Sequence, residues 1–273
     1  MEYTTLHYEV ENKVARITLD RPRYKNAQSR RLLEELDHAF LAADRDRGVN
    51  VIALFGEGDH FSAGHDLGTP DELADREARP WPEGIRGWYD YTHETFYANT
   101  LRWRNLDTPT IAGVHGYCIF GGWMIASAMD VIFSARSALF LGSLFQYFSM
   151  PWDLPPRKVK ELLFESRFID ADEALSLGLV NQVVPDESLR GYTLEWAERV
   201  ANNDPFALRM IKAAVNNAQD SQGFQANVKS AHAFYCLSRL SRDDPDALEV
   251  DAGERRLPMV KVALDNYERQ KRR

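Results

Sequence analysis

Two short strands are predicted at the start of the chain by the alternation of apolar and polar residues. Leu6–Val10 and Val14–Leu19 both alternate in this way, and the polar residues Glu11–Lys13 lie between them. A period of two is typical of a strand that buries only one face. The two segments therefore predict a β-hairpin with one face exposed to solvent.

A helix and a buried strand are predicted to follow the hairpin. Ser29 can cap a helix that ends near Arg45, because apolar residues recur at spacings of three and four along this segment. Val49–Phe55 is nearly all apolar, as expected of a strand that is covered on both faces. Strand, helix and strand in this order favour a right-handed crossover unit.

The glycine-bearing loop Gly56–Leu67 is the first of two segments that are expected to expose bare backbone. Gly64 permits a tight conformation that leaves the N–H of His65 without a strand partner, and Asp66 can cap the helix that follows. The next segment, Thr69–Gly87, combines prolines and glycines with many charges. We interpret it as either a mobile lid or a long surface loop.

The second such segment is the one around which we expect the fold to be organised. Thr110–Val114 is a short apolar run typical of a buried strand, and Trp123–Met129 is a helix of small residues whose first turn carries Gly121 and Gly122. Glycine costs a helix interior about 0.5–1 kcal/mol relative to alanine, so the pair indicates that another group approaches the backbone closely. That group is either a ligand oxygen or a packed strand.

Helical spacing dominates the rest of the chain. The predicted elements are a helix over Tyr89–Arg104, strands over Asp130–Ser134 and Ala138–Leu141, helices over Arg157–Glu165 and Ala171–Leu177, and mainly helix from Asp186 onward. An aromatic loop containing Phe145, Tyr147, Phe148 and Trp152 precedes the first of these later helices. The pattern predicts an α/β core over residues 1–200 and a C-terminal helical region over residues 201–273.

Charge and cysteine content limit the classes of protein that the chain can represent. Its 273 residues carry a net charge of −8, which argues against a nucleic-acid-binding surface. The two cysteines, Cys118 and Cys236, have no partners at metal-ligand spacing, so neither structural zinc nor disulfides are expected. The start of the chain lacks a basic, apolar leader, and no stretch approaches the ~20 apolar residues of a membrane span. We therefore expect a cytoplasmic protein without membrane attachment.

Four sequence blocks resemble the crotonase superfamily, also called the enoyl-CoA hydratase/isomerase family. The blocks are Leu19–Pro22 leading to Asn26–Ala27, Phe61–Leu67, Gly116–Gly122 with the downstream Asp130, and Ala171–Val180. They follow the order and spacing of that family over roughly residues 5–240, so the set is specific although no single block is.

The resemblance implies a fold, an assembly and a substrate class. The fold would be a spiral of repeated β-β-α turns with a C-terminal helical region that mediates trimers. A homotrimer or a dimer of trimers is also favoured by the apolar faces of the C-terminal third of the chain. The substrate would be an acyl-CoA thioester, with no cofactor beyond the coenzyme A that the substrate itself carries, and with no metal.

The resemblance also implies the residues of the site. By motif position, the backbone N–H groups of His65 and Gly121 form an oxyanion hole for the thioester oxygen as an enolate develops, and one such donor can contribute ~3–4 kcal/mol. The pantetheine and adenine groups would lie along two segments, in which the candidate contacts are Arg23, Lys25, Ala27, Ala63, Asp66 and Leu67.

The chain departs from the hydratase pattern at both catalytic glutamates. Counting from Gly121 places the first glutamate at Met124, and counting from Asp130 places the second at Leu144. Neither side chain can transfer a proton, and hydration needs both an acid and a base, each of which typically contributes 10²–10⁴-fold. We therefore expect ordinary crotonyl-CoA hydration to be weak.

Asp153 is the candidate acid or base that remains. Other members of the family use an aspartate eight or more positions beyond the second glutamate, which is about where Asp153 lies. Its apolar neighbours could raise its pKa into the range of a general base, and the alternative is that Asp153 only caps the following helix. The imidazole of His65 is a lesser candidate, with a loop hydrogen bond as its alternative.

Three functions remain open at the level of the sequence. The favoured one is an acyl-CoA-processing enzyme, a lyase or isomerase, that stabilises an enolate without the glutamate pair. The others are a hydrolase of carbon–carbon bonds in cyclic diketones and a non-catalytic acyl-CoA-binding or scaffold protein. Several aromatic residues hint at a bulky or ring-bearing acyl group, although large cores also use them: Trp81, Trp88, Tyr91, Phe145, Tyr147 and Trp152.

Overall fold

The computed structural model describes residues 2–142, 146–240 and 258–272. Within them, the strands are β1 Leu6–Glu11, β2 Val14–Leu19, β3 Val51–Gly56, β4 Thr110–Val114, β5 Tyr117–Ile119, β6 Val131–Ala135, β7 Leu139–Leu141, β8 Ile169–Asp170 and β9 Gln182–Val184. The helices are α1 Arg30–Arg45, α2 Pro70–Ala78, α3 Gly84–Thr92, α4 Asn99–Arg104, α5 Gly121–Ser127, α6 Met150–Asp153, α7 Pro156–Glu165, α8 Ala171–Ser176, α9 Leu189–Ala201, α10 Pro205–Ser221, α11 Phe224–Leu240 and α12 Pro258–Lys271. A π-helical segment, His93–Ala98, joins α3 to α4.

The larger sheet has six strands in the order β1-β2-β3-β4-β6-β9. Only β1 and β2 pair antiparallel, and the remaining neighbours are parallel. One face packs against α9, where Ala197 lies with Phe133, and the other face packs against α1 through Leu36 and Phe40. Because both faces are covered, β3 and β4 are buried along their whole length, which explains their continuous apolar sequence.

The smaller sheet, β5-β7-β8, stands beside the first and forms the frame of the candidate site. The segment after β3 joins this frame through an isolated parallel bridge between Ser62 and Cys118, and the segment before α1 joins it through a bridge between Gln28 and His65. The helix α12 covers the smaller sheet, where Tyr267 packs in one cluster with other apolar residues of this layer. Residues 26–28, 62–65 and 117–121 are thereby held next to one another.

Most of the predicted elements are confirmed. The hairpin is present, and the Ser29 hydroxyl accepts a hydrogen bond from the Leu32 N–H at the start of α1. The α/β class is confirmed as well. The proposed division into residues 1–200 and 201–273 stays a prediction. In the part of the chain that the structure describes, no helix is long and apolar enough to cross a membrane.

Two predictions around Asp66 are wrong. The segment Thr69–Gly87 is not an irregular surface loop, because it contains α2 and the start of α3, and its movement as a lid stays a prediction. The cap of α2 is the Thr69 side chain, which accepts a hydrogen bond from the Glu72 N–H, whereas the Asp66 carboxylate accepts from the N–H groups of Gly68 and Thr69. The aromatic loop also contains a short helix, α6.

Candidate active site

His65 lies in an extended segment whose hydrogen bonds determine where its N–H points. The Gln28 N–H donates to the Gly64 carbonyl at 2.8 Å, and the Asp66 N–H donates to the Gln28 carbonyl at 3.0 Å. In a parallel bridge of this kind, the N–H of the residue between the two bonds faces away from the partner segment. The His65 N–H therefore points away from Gln28. Gly64 makes this possible with φ = +87°, and a Cβ at Gly64 would lie 2.7 Å from the Ile119 carbonyl oxygen.

A strained turn places Gly121 opposite this segment. Phe120 has φ = +44° and ψ = −101°, a region that non-glycine residues rarely occupy and that costs of the order of 1–3 kcal/mol. The Phe120 N–H donates to the Leu141 carbonyl at 3.0 Å, which secures the turn to β7. Helix α5 then begins at Gly121, whose N–H is one of the four at a helix start that have no intrahelical acceptor.

Close packing explains both glycines of this turn. A Cβ at Gly121 would lie 2.3 Å from Gln28 Oε1 and 2.9 Å from His65 Nδ1, and a Cβ at Gly122 would lie 2.6 Å from the Ser62 carbonyl oxygen. No real Cβ approaches other atoms so closely. Of the two explanations that the sequence left open, the approach of a neighbouring segment is therefore sufficient, and the glycine pair by itself does not indicate a ligand.

The same packing brings two unused backbone donors together. The Gly121 nitrogen lies 3.2 Å from the position that a Cβ of Gly64 would occupy, so the segments carrying His65 and Gly121 are in direct contact. Among the described residues, neither the His65 N–H nor the Gly121 N–H donates to a protein acceptor. We call these two groups the N–H pair. Two free N–H groups on adjoining segments can donate to a single oxygen that becomes negative.

The imidazole of His65 is held by uncharged groups. Its Nε2 lies 2.6 Å from Gln146 Oε1, and its ring stacks on Phe96 with the ring centroids 4.0 Å apart. Nδ1 is buried and has no hydrogen-bond partner among the described residues. Burial lowers the pKa of His65 to about 4, against the opposing effect of the Gln146 hydrogen bond, so the ring is neutral near pH 7. Of the alternatives that the sequence left open for this ring, the hydrogen bond to a loop residue is present.

Asp153 lies in a separate polar cluster at the end of α6. The Ser149 hydroxyl donates to Asp153 Oδ2 at 2.7 Å, and burial raises the pKa of Asp153 to about 7 against the opposing effects of that bond and of Arg104. The capping interpretation is wrong, because α7 begins at Pro156 without any side-chain cap. The carboxyl group is thus partly buried, and its pKa lies near neutral pH.

The cluster around Asp153 reaches the N–H pair only indirectly. Burial raises the pKa of Tyr147, and the Asp153 carboxylate lies close enough to raise it further. In the part of the chain that the structure describes, the buried Tyr147 hydroxyl has no hydrogen-bond partner. The preceding residue, Gln146, contacts His65. No hydrogen bond among the described residues joins Asp153 directly to His65 or to Gly121. The backbone from residue 146 to residue 153 therefore links the two parts of the site.

The structure describes only one of the two positions at which the hydratase pattern has a glutamate. Met124 is buried in α5 with 2% of its surface exposed, and its thioether cannot transfer a proton. Leu144 lies outside the described residues, as does Phe145.

The six candidate coenzyme A contacts fall on two adjoining segments. The Ala63 N–H donates to the Lys25 carbonyl at 2.9 Å, which holds these segments side by side. Arg23 and Lys25 are exposed cations, and Lys25 Nζ lies 5.4 Å from the centre of the Tyr117 ring. Arg23 also lines a cleft of about 640 Å³ beside the start of α1. Ala27, Ala63 and Leu67 are partly exposed.

The carboxylate of Asp66 faces the protein interior. It accepts hydrogen bonds from Arg21 at 2.8 Å and from the Thr69 hydroxyl at 2.6 Å. Burial alone would raise the pKa of Asp66, but the hydrogen bonds from Thr69, Gly68 and Arg21 outweigh it and hold the pKa below its usual value. Its side chain is therefore fully occupied within the chain, and its backbone is occupied as well, because the Asp66 N–H donates to Gln28 and the Asp66 carbonyl accepts from Arg76 at 3.1 Å.

Several aromatic residues near the site pack against one another. Trp81 stacks on Tyr91 at 5.2 Å and contacts Trp88 at 5.5 Å, and Tyr91 meets Phe96 edge to face at 6.0 Å. Phe96 in turn stacks on the ring of His65, so this row of aromatic rings ends at a residue of the N–H pair.

The sequence pattern missed the contact of Gln146 with His65. The only available signal was a single amide in an otherwise aromatic and apolar stretch.

Comparisons of the sequence with a family model and with known proteins lead to the same family. The family model described as enoyl-CoA hydratase/isomerase matches residues 9–239. EchA13 of Mycobacterium tuberculosis, provisionally named an enoyl-CoA hydratase, is 39% identical over 260 residues, which cover 87% of this chain and 81% of that protein.

Two crystal structures extend the likeness to the fold. A probable enoyl-CoA hydratase from Mycobacterium thermoresistibile superposes with a TM-score of 0.81 at 37% identity, over 89% of this chain and 96% of that one. An enoyl-CoA hydratase/isomerase from Xanthobacter autotrophicus Py2 gives a TM-score of 0.79 at 31% identity, over 86% and 87% of the two chains. The expected crotonase-like architecture is confirmed by these structures. The chain therefore belongs to the enoyl-CoA hydratase/isomerase family of the crotonase superfamily.

Proposed function

We propose that the protein is an acyl-CoA-processing enzyme that stabilises a thioester enolate with the N–H pair of His65 and Gly121. The observation that carries this proposal is that neither N–H group has an acceptor among the described residues, that their segments are in direct contact, and that the chain belongs to this family. A thioester oxygen placed between them accepts both hydrogen bonds, and these strengthen as the oxygen gains negative charge. One such donor contributes ~3–4 kcal/mol to the transition state.

Asp153 is the acid–base group in this proposal. As the carbonyl oxygen gains charge, the electron pair of the Cα–H bond moves toward the carbonyl and the proton passes to the carboxylate, which later returns it. A pKa of about 7 suits both directions of transfer near neutral pH. The family places an acid or base at Met124 in hydratases, and the thioether there supplies neither. We therefore expect lyase or isomerase chemistry with weak hydration of crotonyl-CoA.

Coenzyme A would lie along the segments that contain Arg23, Lys25, Ala27, Ala63, Asp66 and Leu67. Two of these residues are exposed cations that suit phosphate groups, whereas the backbone and side-chain polar groups of Asp66 are engaged within the chain and would only support this segment. The acyl group is not defined by these contacts. The row of aromatic rings that ends at His65 favours a planar or bulky acyl group.

A homotrimer or a dimer of trimers is proposed for the assembly. The helix α10 exposes an apolar row that nothing in the described part of the chain covers: Phe206, Met210, Ile211 and Val215. A row of this kind marks an interface between protein chains. Light scattering at micromolar concentration is expected to show three or six copies. A monomer would contradict the assembly, and Ile211→Asp is expected to shift the protein toward monomer.

Exchange of substrate α-protons with D₂O tests the enzyme function, since it needs only the N–H pair and a base. Acyl-CoA thioesters are incubated with the parent protein and with Asp153→Asn, and deuterium uptake is followed by mass spectrometry. We expect exchange by the parent and a loss of 10²-fold or more in the variant, with unchanged thioester affinity. Tight binding without any exchange by the parent would instead indicate a non-catalytic binding protein, and equal rates would exclude Asp153 as the base.

A further inference from the structure

The side chain of His65 is held at three points by neutral groups. Gln146 holds Nε2 at 2.6 Å, Phe96 covers one face of the ring, and the Gly121 backbone lies against Nδ1, where even a Cβ would be only 2.9 Å away. Gln146 itself is buried, with 7% of its surface exposed. The ring cannot rotate without breaking the Nε2 contact or colliding with α5.

These contacts determine the tautomer of the ring. The amide oxygen of Gln146 faces Nε2, so Nε2 carries the proton and donates it, while Nδ1 keeps its lone pair. Nδ1 is completely enclosed and therefore cannot exchange a proton with substrate. The ring can therefore affect the reaction only through the position of the His65 backbone, whose N–H belongs to the N–H pair.

We propose that Gln146 is a positioning residue that holds the His65 ring, and through it the His65 N–H, in register with the Gly121 N–H. This inference rests on the proposed function. The position of a donor matters because a misplacement of about 1 Å in a site can cost 10²-fold in rate. Gln146 also begins the segment that carries Asp153, so the same contact ties the proposed base to the oxyanion hole.

The amide is better suited to this position than a carboxylate would be. The groups packed on the imidazole are Phe96, Gln28, Gln146 and the Gly121 backbone, all of them uncharged. A carboxylate at residue 146 would favour the protonated ring and would leave a charged Nδ1–H enclosed against α5. Gln146→Glu is therefore expected to retain the hydrogen bond but to make the site depend on pH.

The test uses the full chain with [1-¹³C]acetyl-CoA and three variants, Gln146→Leu, Gln146→Asn and Gln146→Glu. The ¹³C shift of the bound thioester carbonyl reports its polarisation by the N–H pair without any need for turnover. The ¹⁵N shifts of the His65 ring report its tautomer and protonation. Gln146→Asn shortens the amide by one methylene and serves if the leucine variant does not fold.

In the parent, we expect a downfield carbonyl shift and the Nε2–H tautomer. In Gln146→Leu and Gln146→Asn, we expect at least half of that shift to be lost, a tenfold or greater fall in the rate constant of α-proton exchange, and acetyl-CoA affinity within threefold of the parent. In Gln146→Glu, the carbonyl shift should persist at high pH and decrease as the pH falls. The affinity separates a positioning role from general damage, which would weaken binding as well.

Unchanged carbonyl shift and exchange in both the leucine and asparagine variants would overturn the inference and leave the proposed function standing. A parent protein that binds acetyl-CoA without any carbonyl shift would overturn both, because no oxyanion hole would then exist.

Discussion

Two histidines, His65 and His232, resemble each other in their ring hydrogen bonds and lowered pKa values but differ in their uses. Nε2 of each meets a neutral acceptor, Gln146 Oε1 at 2.6 Å and Thr92 Oγ1 at 3.0 Å. Nδ1 of each is buried without a partner within the described ranges, and burial is the largest cause that lowers each pKa to about 4. A perturbed histidine is therefore not by itself a mark of a site.

The difference between them lies in the backbone. His232 is in the middle of α11, where the helix uses its N–H, and the Thr92 hydroxyl that accepts from its ring also donates to the Trp88 carbonyl at 2.9 Å. This contact ties α11 to the end of α3. The N–H of His65 has no acceptor in the described part of the chain, and its segment contacts the one that carries Gly121. The backbone, rather than the side chain, distinguishes the candidate site from a packing contact.

The largest change in the rate of α-proton exchange is expected from Gly121→Ala, which alters the region around His65 and leaves the region around His232 intact. Its Cβ would collide with Gln28 and His65 and would displace the N–H pair, so the rate of α-proton exchange should fall by about 10²-fold or more. Gly191→Ala is the matched control, because nothing lies within 4 Å of its Cβ and it should stabilise α9 by about 0.5–1 kcal/mol. Exchange assays and thermal unfolding of both variants provide the measurement. Equal activity in the two variants would contradict the placement of the site.

Protonation of His232 should lower the free energy of unfolding at acid pH as strongly as protonation of an active-site group. Its pKa is lowered to about 4 in the folded state, so the unfolded chain binds a proton first and stability falls as the pH drops from about 6.5 to 4. The loss attributable to this residue is roughly 3 kcal/mol at pH 4, since one pKa unit corresponds to ~1.4 kcal/mol. Urea unfolding of the parent and of His232→Gln at several pH values checks this. Parallel curves for the two proteins would contradict it.

Asp153 should give the opposite dependence on pH. Its pKa of about 7 in the folded state lies above that of the unfolded chain, so its contribution to stability is complete below pH ~4 and is lost as the pH rises through 7. Its partial exposure reduces the effect to the order of 2 kcal/mol. Between pH 5 and 9, Asp153→Asn should therefore lose less stability than the parent in urea unfolding. A steeper loss in the variant would show that the carboxylate is stabilised in the folded protein.

The smallest effect on the free energy of unfolding is expected from Thr92→Val. It removes the acceptor of the His232 ring and should cost about 1–2 kcal/mol, because a buried donor is left unpaired. The rate of α-proton exchange per folded molecule should not change, in contrast to Gln146→Leu at the corresponding position beside His65. A large loss of exchange in Thr92→Val would show that the two regions are coupled.

The sequence by itself determined the elements whose signals are local. The alternation before Leu19 was enough for the hairpin, Ser29 was enough for the start of α1, and the apolar run at Val49–Phe55 was enough for β3. Gly64 marked the tight turn before His65, but the direction of the His65 N–H depends on the bridge to Gln28. The signals for the hairpin, for α1 and for β3 each lie within a short stretch of the sequence.

Tertiary contacts decided the rest. The strands β5, β8 and β9 have two or three residues each and exist because neighbouring strands pair with them, so no periodicity could reveal them. The helix α2 was missed because its charged face binds α1 through ion pairs such as Asp75 with Arg30, and not through an apolar stripe. Gln146 meets His65 across 81 positions of sequence, and that contact exists only because the smaller sheet brings these segments together.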